Sequence, residues 1–496
     1  MSEPAPRPSS IFVARALVIL AVALLAGRIL TVAGPFGAND VSRWTTVRAL
    51  VERGTFSTGR RVVEGEGFRD EGIVVEPGWQ SVDVALDPDS LRFYSSKPPL
   101  LSTLVAAEVW LVEKVTGWTL ATDRAAVTQV VLLTFNALPL ALALFALVGL
   151  VFRLEASDEA RLFVVAATCF ATFPWAFGIV LTNHVPAFAA SLWTGVLLAR
   201  ALRLDDKSPR LFLSAGLASA TVAALEPPAL CLTLLTVALL ARVDTKRALS
   251  LALPASLLPL AAYFVTAALV FKTPLFFHYR DNRWDRFPGS YLNAPVGIDV
   301  GEDGPVAYVL HFLIGHHGFL SLTPVLLLAL PTLIAPLLVG VGDSLKRVYP
   351  AVLALAFVTA ALLGRVLHRE ADLPLVVGLL PALALTAAAL LLPFGWWRDE
   401  RLREEGLRRV TLACSVAVLA FYVVKTKNYG GDTSGPRWVL WLVPLWLLVM
   451  PAPLTRLLER PGLRLAALVL VALSAISVAY GMDTPWRAPW LHALFR

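Results

Sequence analysis

The chain has 496 residues, 57% of them hydrophobic and 16% charged, with a mean hydropathy of +0.69. A soluble domain does not carry this many runs of about 20 apolar residues, the length that crosses a bilayer as a helix, and continuous rather than alternating runs exclude a barrel. The formal charge of +7 comes without a basic arm or an RNA motif, which argues against nucleic acid, and the three cysteines, Cys169, Cys231 and Cys414, lie in apolar runs without a CxxC pair, which argues against a disulfide framework or a thiolate metal site.

The first apolar run, Ile11 to Ala33, is too long for a signal-peptide core, and no small-residue cleavage site stands out before Gly34. It reads as an uncleaved first span. Asn39-Asp40 follows at once and opens a long polar segment ending at Ser95-Ser96-Lys97-Pro98-Pro99-Leu100. A carboxylate where a membrane helix surfaces is costly to keep charged near lipid and invites a functional role. The plain alternative is that Asp40 caps a short surface helix, Ser42 to Arg53. Gly54 to Leu91 alternates apolar and polar residues around glycines and predicts a short hairpin. Leu100 to Val115 contains Glu108, Glu113 and Lys114 and is short for a span, so an amphipathic helix lying on the outer face is expected.

The apolar pattern predicts about thirteen spans, at 11–33, 125–152, 161–181, 184–203, 210–226, 228–242, 247–271, 319–341, 347–364, 374–394, 409–425, 436–453 and 463–481. With the N-terminus inside, every inside loop is basic, from Arg153 and Arg161 to Arg456, Arg460 and Arg464. This puts the protein in the inner (cytoplasmic) membrane as a multi-pass chain. Residues 1–271 form an N-terminal transmembrane module with a first outer loop at 34–124. Residues 272–318 form an outer loop, and 319–496 a C-terminal transmembrane module.

In that topology the unusual polar clusters all reach outer helix ends. They are Asn39-Asp40, Lys97, Thr182-Asn183-His184, His316-His317 and Lys425 to Arg437, the last including Lys427, Asn428 and Tyr429. Five clusters at one depth predict a single cavity facing the periplasm or outside. Lys and Arg neutralise phosphate oxygens, a carboxylate takes a hydroxyl proton, and Gly430-Gly431 permits close backbone approach. His316-His317 invites a metal reading, but adjacent histidines diverge on a helix, and no metal is expected there.

Asn39-Asp40-x-Ser-Arg43-Trp44, Leu50 to Phe56, and Tyr94-Ser95-Ser96-Lys97-Pro98-Pro99-Leu100-Leu101 together resemble the first outer loop of the GT-C glycosyltransferases. The nearest branch is that of bacterial ArnT-like aminoarabinose transferases and protein O-mannosyltransferases. His317 to Pro324 and Asn428 to Trp438 resemble members of the same superfamily, in the same order along the chain. The resemblance implies an all-α GT-C-like fold and an inverting transfer of a sugar from a polyprenyl-phosphate donor to the hydroxyl of a lipid, glycan or protein acceptor. It implies Asp40 as general base and a donor phosphate held by Lys97, Arg437 and His184. Asn39, Arg43, Asn183, His316, His317, Lys427, Asn428 and Tyr429 are further cavity candidates. Relatives carry a second acid on the loop between the third and fourth spans. Here that loop reads Thr182-Asn183-His184, so neither a catalytic metal nor another cofactor is expected. Two rival classes are a transporter of lipid-linked sugars and a polysaccharide polymerase or ligase. The first would favour charges at mid-membrane, and the second a large outer loop rich in Arg and His.

Overall fold

The computed structural model describes residues 7–273, 282–301, 303–338, 349–391, 399–426 and 428–494. The protein is mostly helical. Among the described residues, eight helices are long and apolar enough to cross a membrane, and a ninth span is counted if the helices Arg437–Leu448 and Pro451–Leu458, bent by 64° at their junction, act as one. Shorter apolar helices lie at Pro209–Leu225, Pro227–Val243, Pro324–Leu338 and Leu375–Ala387.

The first span, α1 (Pro8–Ile29), begins on a proline, whose missing N–H is no loss in the first helical turn. It buries Ala14, Val18, Ala21, Leu25 and Ile29 at helical spacing and leaves Ile19 and Leu20 exposed. Only lipid makes such exposed apolar faces stable on several long helices at once.

Helix α2 (Ala38–Arg53) is longer at its start than the sequence reading, with Asn39 and Asp40 inside its first turn. Its N-cap is Gly37, at φ 80°, where a Cβ would lie 2.3 Å from the Trp486 ring, so both the left-handed turn and the packing demand glycine. The expected hairpin is there, β1 (Gly59–Glu64) pairing antiparallel with β2 (Gly67–Gly72). Two further strands, β3 (Val84–Leu86) and β4 (Arg92–Ser95), extend it to a four-stranded sheet of order β2-β1-β4-β3. Helix α3 (Pro99–Thr116) follows the Pro-Pro pair and is not one of the span-like helices, because its three charged residues break the apolar window.

Four long helices follow: α4 (Arg124–Val151), α5 (Asp158–Phe177), α6 (His184–Arg203) and, after the two shorter ones, α7 (Thr245–Phe271). Pro139 removes an N–H from α4, and the helix widens to a π-turn at Leu133–Ala137 just before it. That turn presents Asn136, fully buried, whose Nδ2 donates to the carbonyls of Gly178 (2.9 Å) and Val180 (3.0 Å). The loop between α5 and α6 is thereby fixed.

Contacts at the helix ends sort the loops into two groups. The Arg7 N–H and Ser10 hydroxyl bond Asp158, Ser157 N–H bonds Thr455, Arg464 pairs with Glu159, and Arg247 bonds the Lys207 carbonyl. The N-terminus thus meets the 157–159 and 455–464 segments at one end of the bundle, and α6, running back from the 178–183 loop, returns the paired segments at Lys207 and Arg247 toward that end. The opposite end carries α2, the sheet, and the loops at 178–183 and 428–436.

Candidate functional site

At that opposite end lies a cavity of about 630 Å³, open on one side. Six of the expected site residues line it from four segments far apart in sequence: Asn39 and Arg43 from α2, Lys97 from the Pro-Pro loop, Asn183 and His184 at the start of α6, and Arg437. Asn428 lines it as well, bringing the count to seven.

The cations are held in different ways. Arg43 is buried, and its guanidinium donates to the amide oxygens of Asn183 (2.5 Å) and Asn39 (3.4 Å). Neutral oxygens fix its plane without cancelling its charge. Burial lowers its pKa to about 10, a fall opposed by Glu226, so it stays charged at neutral pH. Lys97 pairs with Asp83 at 2.8 Å. Ser42 of α2 holds this loop in place, bonding the Asp83 carbonyl and the Ser95 hydroxyl, which in turn accepts the Lys97 N–H. Burial lowers the Lys97 pKa, opposed by Asp83. For Asp83 burial works upward, but Lys97, Arg437 and Arg43 outweigh it and leave the carboxyl below its usual range. Arg437 donates to the Gly430 carbonyl and lies over the Trp486 ring, 5.1 Å from its centre. Asn428 Oδ1 accepts the N–H groups of Gly430 (2.5 Å) and Gly431 (2.7 Å), and both glycines have positive φ. That turn is the close backbone approach the Gly-Gly pair predicts.

Asp40 is not on the cavity wall. It is 1% exposed and sits behind Asn39, its two oxygens accepting backbone N–H groups from Phe36 (2.9 Å) and Leu181 (2.7 Å). Neither donor belongs to α2, so Asp40 does not cap that helix; it ties the helix start to the chain entering it and to the 178–183 loop. Burial raises its pKa to about 7, against the pull of the two N–H donors. His316, His317 and Tyr429 are also absent from the wall; they pack together beside it. The expectation that the two histidines diverge on a helix fails because they lie in the turn after helix Pro305–Leu313, where their Nδ1 atoms are 2.5 Å apart. Lys427 lies outside the described residues.

Among the lining residues not singled out for this site from sequence are Glu226, Asp83 and Trp486. Glu226 caps the C-terminus of Pro209–Leu225; its Oε1 accepts from Asn183 Nδ2 (2.7 Å) and meets His184 Nδ1 (2.5 Å). Its signal was visible as a carboxylate ending an apolar run before Pro227-Pro228. It brings a carboxylate against the 182–184 loop, which has none of its own. Asp83 and Trp486 gave no such signal; each sits among ordinary loop residues. In comparisons with known proteins, no family model and no curated protein matches this chain.

The assembled chemistry is a set of fixed cations at the mouth of a helical bundle, facing the carboxylates of Asp83 and the buried Glu226. Fixed cations suit a phosphate-bearing ligand, and Glu226 with His184 can hold and move a proton.

Proposed function

We propose that the chain is a membrane glycosyltransferase of the GT-C kind, transferring a sugar with inversion from a polyprenyl-phosphate donor to an acceptor hydroxyl at the outer membrane face. The observation that carries this reading is the convergence of Arg43, Lys97 and Arg437 on one cavity that also holds Glu226 and His184. The donor phosphate binds the three cations. The acceptor hydroxyl attacks C1 from the side opposite the phosphate, the C1–O bond breaks, and its electron pair leaves with the phosphate. The cations stabilise that developing charge. Glu226, oriented by Asn183 and His184, takes the hydroxyl proton.

A second reading keeps Asp40 as the base. It is favoured by a carboxyl poised near neutrality, with a pKa of about 7, one residue behind the wall. It requires the 178–183 loop to release an oxygen.

The thirteen-span topology belongs to the same proposal. Each expected segment coincides with one of the eight long helices, the bent pair or one of the four shorter apolar helices. The short ones cross only if the bilayer thins or the neighbouring loop completes them. The outward orientation rests on the clustering of basic loops at the end remote from the cavity.

The test is transfer itself. Purified protein in proteoliposomes is given a radiolabelled polyprenyl-phosphate sugar and envelope acceptors. Covalent labelling of an acceptor is expected, and label that crosses the membrane without being attached would replace the enzyme by a transporter. Loss of a general base is worth about 10²–10⁴-fold. Glu226→Gln is expected to lose this much while still binding donor, and Asp40→Asn to keep most turnover; the reverse pattern returns the base to Asp40.

A further inference from the structure

Beside the cavity, Asp303, His311 and His316 present ligand atoms that all lie within 4.8 Å of one another. Asp303 precedes helix Pro305–Leu313, His311 lies in its last turn, and His316 in the turn that follows. The chain has 7 histidines, and four of them meet here, since His317 and His492 flank the group. The rings of His311 and His316 stack at 4.0 Å, and His492 stands 5.1 Å from His316. His317 is 1% exposed, and its Nε2 is buried without a hydrogen-bond partner among the described residues. A buried imidazole nitrogen left unpaired costs free energy, and a cation ligand would relieve it.

We infer that this cluster is a zinc-binding site, with Asp303, His311 and His316 as ligands and His317 within reach of the fourth position. Zinc takes nitrogen and carboxylate oxygen at about 2.0–2.2 Å in a tetrahedron. Such a tetrahedron puts neighbouring ligand atoms a little over 3 Å apart, so the present spacing closes by rotation of side chains. The carboxylate is oriented: Tyr429 donates its hydroxyl to Asp303 Oδ2 at 2.6 Å, the outer-shell partner that metal-binding carboxylates usually have.

The site is distinct from the transfer cavity but touches its scaffold. Tyr429 stacks on His317 at 5.0 Å and on Tyr308 at 4.9 Å, and its chain neighbours Asn428 and Gly430 line the cavity. Gly430 carries the carbonyl that accepts from Arg437. Zinc here anchors the 428–437 loop and with it a phosphate-binding cation.

Metal counting tests this without any assay of transfer. The full chain, purified in detergent, is incubated with zinc chloride, desalted and measured by plasma mass spectrometry. About one tightly held zinc per chain is expected. The double substitution His311→Ala with His316→Ala is expected to lower it at least fivefold. Wild-type protein that retains no zinc, or a folded double variant that retains it equally, overturns the site. If the double variant does not fold, X-ray absorption of the zinc-loaded wild type decides: imidazole scattering around zinc supports the assignment, and a shell of oxygens alone overturns it.

Discussion

At the scale of single residues, Asp40 and Glu226 show how two buried carboxylates take different work. Asp40 spends both oxygens on main-chain N–H groups, while Glu226 faces the cavity between an amide and an imidazole. The raised pKa of Asp40 has a consequence for stability. Between its unfolded value, near 4, and about 7, the folded state binds the extra proton. The Asp40 contribution to stability is therefore fullest below pH 4 and declines as pH rises through 7. Asp40→Asn removes this ionisation, so its melting temperature relative to wild type is expected to improve steadily from pH 4 to pH 8. A difference independent of pH, measured by thermal unfolding in detergent, would contradict the assignment. Lys97 gives a second expectation. Its loss leaves the half-buried Asp83 without its ion-pair partner, so Lys97→Ala should lower the melting temperature modestly and weaken donor binding about tenfold. Lys97→Arg should restore part of both, because the charge persists.

At the scale of elements, glycines decide how closely helices approach. At Gly216, on helix Pro209–Leu225, an added Cβ would lie 2.0 Å from the Ala252 carbonyl on α7. Backbone cannot yield there, so Gly216→Val is expected to abolish the monodisperse folded protein on size exclusion. Gly149, near the end of α4, faces open space within 4 Å, and Gly149→Ala is expected to be neutral or slightly stabilising. The pair controls for helix propensity. Element boundaries were readable from sequence where punctuation was strong: Gly54, at φ 61°, ends α2, and Pro98-Pro99 opens α3. The strands at Val84–Leu86 and Arg92–Ser95 were not readable, since each has four residues or fewer and gains its place only by pairing.

At the scale of the whole molecule, the proposed topology puts the sheet and the cavity outside and the basic ends inside. Gly65, at the exposed tip of the hairpin, and Asp205, in the loop after α6, are far-end markers. A cysteine introduced at 65 is expected to react with an impermeant maleimide in intact cells, and one at 205 only after permeabilisation. Reversed labelling would invert the protein in the membrane and place the cavity on the cytoplasmic side.

The helical membrane class was legible in the chain because span length and apolar continuity are one-dimensional properties, independent of what each helix touches. The clusters at Asn39, Lys97, Asn183-His184 and Arg437 were legible for the same reason: polar residues stand out where apolar runs end. Which of these polar groups meet was decided by tertiary structure alone. Asp40 meets Leu181, Asn183 meets Glu226, and His316 meets His492 across separations that no local pattern spans. Whether a carboxylate ties loops together, faces a cavity or joins a cluster of histidines depends on the groups packed around it, and packing supplies those groups from the far parts of the chain.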